Sequence, residues 1–115
     1  VKVIIAGGRD YQCHLDDVLM LHDLHLDNNF TEIVSGAASG ADREGEIFAC
    51  DICIPVKRFP ADWETHGKAA GPIRNKQMAQ YADAVILFPG GKGTASMRKL
   101  AKEYGLKILY DADNP

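Results

Sequence analysis

Three short glycine-rich runs hold the residues of this chain best suited to chemistry. They are Gly7-Gly8-Arg9-Asp10, Ser35-Gly36-Ala37-Ala38-Ser39-Gly40 and Pro89-Gly90-Gly91-Lys92-Gly93-Thr94. Glycine lets backbone N–H groups lie bare against a ligand, and a helix starting at such a turn adds the positive end of its dipole. Those are the parts of an anion site, and a phosphate-bearing small molecule is its natural guest. Neither common phosphate fingerprint is present. Lys92 precedes the last glycine, so there is no Gly-x-x-x-x-Gly-Lys-Ser/Thr loop, and no Gly-x-Gly-x-x-Gly follows the first apolar run. A standard NTPase or dinucleotide-dependent dehydrogenase is not expected.

Several polar residues stand close to these runs in sequence. Lys92 reads either as a solvated loop lysine or as a counter-charge for phosphate. Thr94 is placed to cap the helix that follows it while the preceding amides hold the anion. Arg74 and Asn75 follow Gly71-Pro72, in the expected first turn of another helix. An arginine there opposes the dipole, and a bound anion would account for the placement. Arg9 and Asp10 form a salt bridge with each other or face a ligand. Asp42 completes Ser39-x-x-Asp42, the spacing of a capping box, and a ligand role for it would involve ribose hydroxyls or water rather than phosphate. Trp63, beside Asp62 in a long loop, is either packing or a platform for a base, and His66 and Lys68 are weaker candidates in that loop. For any acid–base step the candidates are Arg74, Asp42, Asp10 and Asp62.

Other reactive residue types lead less far. His14, His22 and His25 lie on one helical stretch without companion metal ligands and read as solvated or packed. Cys50-Asp-Ile-Cys53 spells C-x-x-C, but at a helix end whose dipole raises a thiol pKa. These two are expected to be buried structural thiols. Neither a metal nor a cofactor is expected.

The elements that must position the glycine runs alternate along the chain. Val1–Ala6 is a β-branched apolar run, followed by a helix over residues 14–28 carrying Leu15, Val18, Leu19, Leu21, Leu24 and Leu26. Thr31–Ser35 is a second strand, Ser39 to about Cys53 a second helix with Ile47, Phe48 and Ile52 apolar, and Ile54–Phe59 a third strand, with Pro55 demanding an edge. Pro60–Gly71 reads as a long loop, a possible wall or lid. Pro72 then opens a third helix to about Tyr81, at a position where its missing N–H costs nothing. Ala84–Phe88 is the fourth strand, Thr94–Tyr104 the fourth helix with Gly105 as its left-handed cap, and Leu106–Tyr110 the fifth strand.

Such alternation with short connections predicts an α/β fold, a Rossmann-like doubly wound parallel sheet of about five strands with helices on both faces. The expected order is 3-2-1-4-5, with the topological switch between strands one and four. All three glycine runs leave the carboxyl ends of strands 2, 1 and 4, which are neighbours in that order. They should therefore converge on one cleft.

The bulk properties set outer limits. A chain of 115 residues reads as one domain, 1–115, with room for a real core. Its net charge of −3 gives no reason to expect broad nucleic-acid binding. No apolar run approaches a membrane span and the first residues lack the pattern of a signal peptide. Three cysteines, Cys13, Cys50 and Cys53, suit reduced thiols better than a disulfide framework. The expectation is a cytoplasmic protein.

The motifs taken together carry a family resemblance over nearly the whole chain. Gly7-Gly8-Arg9-Asp10-Tyr11, Gly36-Ala37-Ala38-Ser39-Gly40-Ala41-Asp42, Phe59-Pro60-Ala61-Asp62-Trp63, Gly67-Lys68-Ala69-Ala70-Gly71-Pro72-Ile73-Arg74-Asn75 and the Pro89–Thr94 turn resemble the YpsA-related branch of the SLOG superfamily. That superfamily also holds the LOG-type "lysine decarboxylase-like" phosphoribohydrolases and the DNA-processing protein A fold. The resemblance implies a Rossmann-like domain that binds nucleotides or nucleotide-derived ligands. LOG enzymes cleave the N-glycosidic bond of nucleoside monophosphates with an arginine and with a glutamate three residues after the threonine of the glycine motif. Arg74 is similar to that arginine in kind, whereas Met97 stands where the glutamate would be.

Three readings follow. The first is nucleotide binding at the glycine turns. The second is an N-glycosidic hydrolase acting on a nucleoside monophosphate or an ADP-ribose-like substrate. The third, a single-stranded DNA binder, is disfavoured by the acidic charge and the single tryptophan. A homodimer is a further expectation, from the exposed edge strands and the relatives of the fold.

Overall fold

The computed structural model describes residues 1–114. Five strands, β1 (Lys2–Ala6), β2 (Glu32–Ser35), β3 (Val56–Arg58), β4 (Ala84–Leu87) and β5 (Lys107–Asp111), form one sheet in the order β3-β2-β1-β4-β5. Every neighbouring pair is parallel. This is the doubly wound Rossmann-like arrangement expected from the alternation. β1 lies between β2 and β4, so the switch point falls between the ends of β1 and β4.

Strand periodicity explains the two cores. Val3 and Ile5 of β1 point to one face, where they pack with Ile33 and Ile86 under α1 (Leu15–Asn28) and α2 (Ala41–Asp51). Ile4 and Ala6 point to the other face, with Val34, Val85 and Leu87 under α4 (Ala70–Tyr81) and α5 (Lys92–Glu103). The central strands are buried on both sides, which is why they read as unbroken apolar runs. Of the α1 stripe only Leu21 is fully buried, while Leu15, Leu19 and Leu26 are exposed.

Local chemistry sets the ends. Gly105, at φ +70, closes α5 with paired bonds: its N–H donates to the Lys102 carbonyl, and the Leu106 N–H to Ala101 at 2.8 Å. The edge position of β3 suits Pro55 immediately before it, whose carbonyl accepts the Ile33 N–H.

The structure corrects three expectations here. Pro60–Gly71 is not a plain loop: it contains a helical turn, α3 (Trp63–His66), and a 3-10 turn at Gly67–Ala69 that runs straight into α4. Pro72 is consequently the third residue of α4 rather than the first, still among the positions whose N–H lacks a partner inside the helix. Cys50 and Cys53 are exposed, not buried: α2 ends at Asp51, and the chain leaves it through Cys53 at φ +58.

Candidate functional site

The three glycine runs meet because Gly8 ties them together. Its N–H donates to the Pro89 carbonyl at 2.8 Å, and its carbonyl accepts the Ala41 N–H at 3.1 Å. Side chains leave no room for this contact. A methyl group at Gly40, where φ is +73, would lie 2.1 Å from the Gly8 carbonyl oxygen, and one at Gly7 2.8 Å from the Ala41 side chain. Ser39 adds a hydroxyl bond to the Arg9 carbonyl at 3.0 Å. Packing within the chain, against backbone at Gly40, largely against side chains at Gly7 and against both at Gly90, therefore accounts for these three glycines.

Beside this knot lies a cleft of about 340 Å³. Gly7, Gly8, Arg9, Ser39, Asp42, Arg74, Asn75, Gly91, Lys92, Gly93 and Thr94 line it, and its apolar residues are Ala6, Ala38, Met78 and Met97. Gly91 and Gly93 differ from the knotted glycines, since a methyl group at either would meet nothing within 4 Å. They begin α5, whose N-cap is Gly91, so the amides of the first turn have no side-chain cap. Thr94 is thus the third residue of α5, not its cap as its sequence position suggested. It is buried and lines the cleft.

A second recess, about 270 Å³, is lined by Gly36, Ala37, Pro60, Ala61 and Trp63 and shares Arg9, Ala38, Ser39 and Arg74 with the first. Arg9 makes no salt bridge with Asp10. Its guanidinium lies over the Trp63 ring, 5.9 Å from the centroid. Arg74 stands half-buried in the second turn of α4 rather than the first, so the helix dipole does not oppose it as expected. Its Nη1 donates to the Gly36 carbonyl at 2.5 Å and its Nε to Asn75 Oδ1 at 2.9 Å. The second bond leaves the Asn75 amide N–H₂ as the group free to face the cleft. Burial pulls the Arg74 pKa down, Arg9 adds to this, and Asp42 opposes it.

Asp42 does not form a capping box with Ser39. Its carboxylate accepts the Ala38 N–H at 3.2 Å, across the turn before α2. Burial pushes its pKa above the usual carboxylate range, and the Ala38 amide and Arg74 hold back part of that rise. Among the described residues it is the one carboxylate lining the main cleft. The turn it braces is also held by Ser35, whose hydroxyl accepts the Ala37 N–H and donates to Glu46 Oε2 at 2.6 Å.

The remaining predicted residues divide clearly. Gly36 lies in the wall of the second recess, where a methyl group would sit 2.8 Å from both Arg74 Nη1 and Asp42 Oδ2. Pro89 and Gly90 support the knot and line neither recess. Asp10 and Asp62 are exposed and line neither; Asp62 instead caps α3 by accepting the Thr65 N–H at 3.1 Å. His66 and Lys68 also line neither recess. Among the described residues, no group of three or more His, Cys, Asp or Glu is placed to hold a metal ion, and no helix is long and apolar enough to cross a membrane.

Sequence reasoning did not single out Ala37, Ala38, Ala61, Met78 or, as lining, Met97. Only the φ of +61 at Ala37 marks any of them as unusual, and that is a property of the folded backbone.

Residues 1–66, which carry the first two glycine turns and Trp63, match the YspA, cpYpsA-related SLOG family. The chain belongs to this SLOG family. A relative, the Gene 61 protein of Mycobacterium phage D29, is 31% identical over 123 residues, covering 99% of this chain and 98% of that protein. SLOG membership suggests nucleotide-related binding in general. The cleft at the switch of the SLOG sheet is where ligands of open α/β folds sit.

Proposed function

We propose that this SLOG protein binds a nucleotide or nucleotide-derived small molecule through phosphate held in the main cleft. The observation that carries this reading is the meeting of Arg9, Arg74 and Lys92, from three segments of the chain, at a cleft whose wall includes Gly91 and Gly93, where an added methyl group would meet open space. Three cationic side chains face one carboxylate there, in a protein whose net charge is −3. Phosphate would take N–H bonds from the uncapped first turn of α5 and charge-assisted bonds from the cations.

Gly91→Glu tests this. The site around Gly91 is open, so the side chain fits, but its carboxylate would occupy the anion position. Thermal shift with AMP, ADP, ADP-ribose, NAD and cyclic dinucleotides should give stabilisation of roughly 2.7 kcal/mol at 100 times the dissociation constant. The variant should keep its unliganded Tm and lose that stabilisation. Equal ligand affinity in the variant overturns the reading.

A second reading, an N-glycosidic hydrolase, is favoured by Asp42. It is a carboxyl held above its ordinary pKa at the cleft wall, as a general acid requires. α5 supplies no acid toward this cleft, where it contributes the buried Met97. Under this reading, chromatography detects free base released from nucleoside monophosphates or ADP-ribose, and Asp42→Asn stops it. No base released above background across that panel excludes the activity.

A further inference from the structure

The second recess has a different chemical character from the first. Its lining comprises small or uncharged residues, the Trp63 indole and two guanidiniums, with no carboxylate among the described residues. Trp63 is the largest exposed aromatic there, 49% exposed, although tryptophan is costly to leave in water. Its position is fixed from three sides. Asp62 caps the turn that carries it. Gly71 lies close beside it, where even an added methyl group would be at ordinary contact distance, 3.4 Å from Trp63 Cη2. Arg9 covers one part of the ring. The recess joins the main cleft along a shared wall of Arg9, Ala38, Ser39 and Arg74.

From this arrangement we infer that the Trp63 recess is the seat of a planar heteroaromatic ring, joined to the phosphate in the main cleft by a linker crossing the Arg9–Arg74 wall. The ligand class is then a nucleoside phosphate, and phosphorylated sugars without a base fill only half of the site. Stacking on an indole is tolerant of base identity because every base presents a π face. Arg9 lies over the indole, so a base stacking on Trp63 takes its place there and frees the guanidinium for the phosphate. The inference rests on the phosphate reading above, and the experiment separates the two.

Trp63 is the sole tryptophan of the chain, so tryptophan emission reports this recess alone. Wild type, Trp63→Ala and Trp63→Phe are titrated with AMP, GMP, CMP, UMP and ribose 5-phosphate. Affinities come from calorimetry and, for wild type, tryptophan emission is followed in parallel. The nucleotides should quench the emission while ribose 5-phosphate binds with little quenching. Trp63→Ala should weaken nucleotide binding roughly 5- to 150-fold, the range for loss of one stacked base, and leave ribose 5-phosphate unaffected. Trp63→Phe should recover part of the loss. Nucleotides that bind without changing the emission, and equally well to Trp63→Ala, overturn the ring seat and leave the phosphate reading standing. Equal weakening of ribose 5-phosphate overturns it too, because Trp63 would then act only by positioning Arg9. No binding by any of the five compounds overturns the phosphate reading, and this inference with it.

Discussion

Gly90 and Gly91 are adjacent residues of one turn, yet an added methyl group would meet opposite surroundings at them. At Gly90 it would lie 2.1 Å from Thr94 Oγ1 and 2.7 Å from the Gly8 backbone nitrogen, whereas at Gly91 nothing lies within 4 Å. Gly40 belongs with Gly90, pressed against the Gly8 carbonyl, and Gly93 belongs with Gly91. The first pair is glycine because the turns must touch one another. For the second pair, no packing within the chain demands glycine. An open glycine in the wall of a cleft leaves room for something that approaches from outside, which is the physical content of the binding proposal.

The largest effect that can break this contrast is expected at the knot. Gly40→Ala combines a left-handed φ with a backbone clash, and should cost about 3 kcal/mol or more. In a domain of this size that lowers Tm by roughly ten degrees or more, read by calorimetry. A Tm within a degree or two of wild type would show that the knot yields easily and that the two classes are not distinct.

Gly93→Ala sharpens the other side. The position is inside α5 and open, so alanine should stabilise the helix by up to about 1 kcal/mol while weakening binding of AMP. Higher Tm with unchanged affinity would mean that no ligand comes close to this turn.

The acids around the sheet offer a pH version of the comparison. Burial raises the Asp42 pKa, so the folded state holds a proton that the unfolded chain has already lost. Its contribution is fully present below the ordinary carboxylate pKa and disappears as pH rises through the raised value. Asp111 behaves in the opposite sense. Arg98 grips it with two bonds, 2.6 and 2.8 Å, and lowers its pKa, so its contribution holds above the ordinary value and is lost as pH falls through the lowered one. In urea titrations across the acid range, Asp42→Asn should therefore remove a loss of stability on raising the pH just above the ordinary carboxylate range. A profile parallel to wild type would show that Asp42 is not the desolvated group.

The smallest effect is expected at Ala37. Its φ of +61 is costly for an L-residue, and glycine would relieve that cost while adding freedom to the unfolded chain. Ala37→Gly should gain about 0.5 kcal/mol by denaturant titration. A loss instead would mean that the added freedom of the unfolded chain outweighs the relief of strain, since glycine keeps the N–H bond to Ser35 Oγ.

Much of this architecture was legible before folding was considered. Apolar runs at β1, β2 and β4 separated by helical stretches imply a parallel sheet, because short strand–helix connections leave few other ways to bury both faces. The convergence of the three glycine turns follows from that strand order alone. The finer details of the site did not follow. Pro72 suggested a helix start that actually lies at Ala70, because a 3-10 turn feeds the helix from behind. Ser39 and Asp42 have capping-box spacing, but each found a partner on the loop side of the helix. Cys50 and Cys53 are exposed rather than buried, which the helical period could not show, since it does not say where α2 stops relative to the sheet.

What the sequence by itself determined is therefore the alternation, the strand order and the edge on which the glycine turns gather, all consequences of hydrophobic period and connection length. Tertiary structure alone decided which glycines are locked and which are open, where Arg9 rests, and that Asp42 rather than Asp10 or Asp62 faces the cleft. Those outcomes depend on distances between segments tens of residues apart in sequence, and the local preferences of a chain carry no information about such distances.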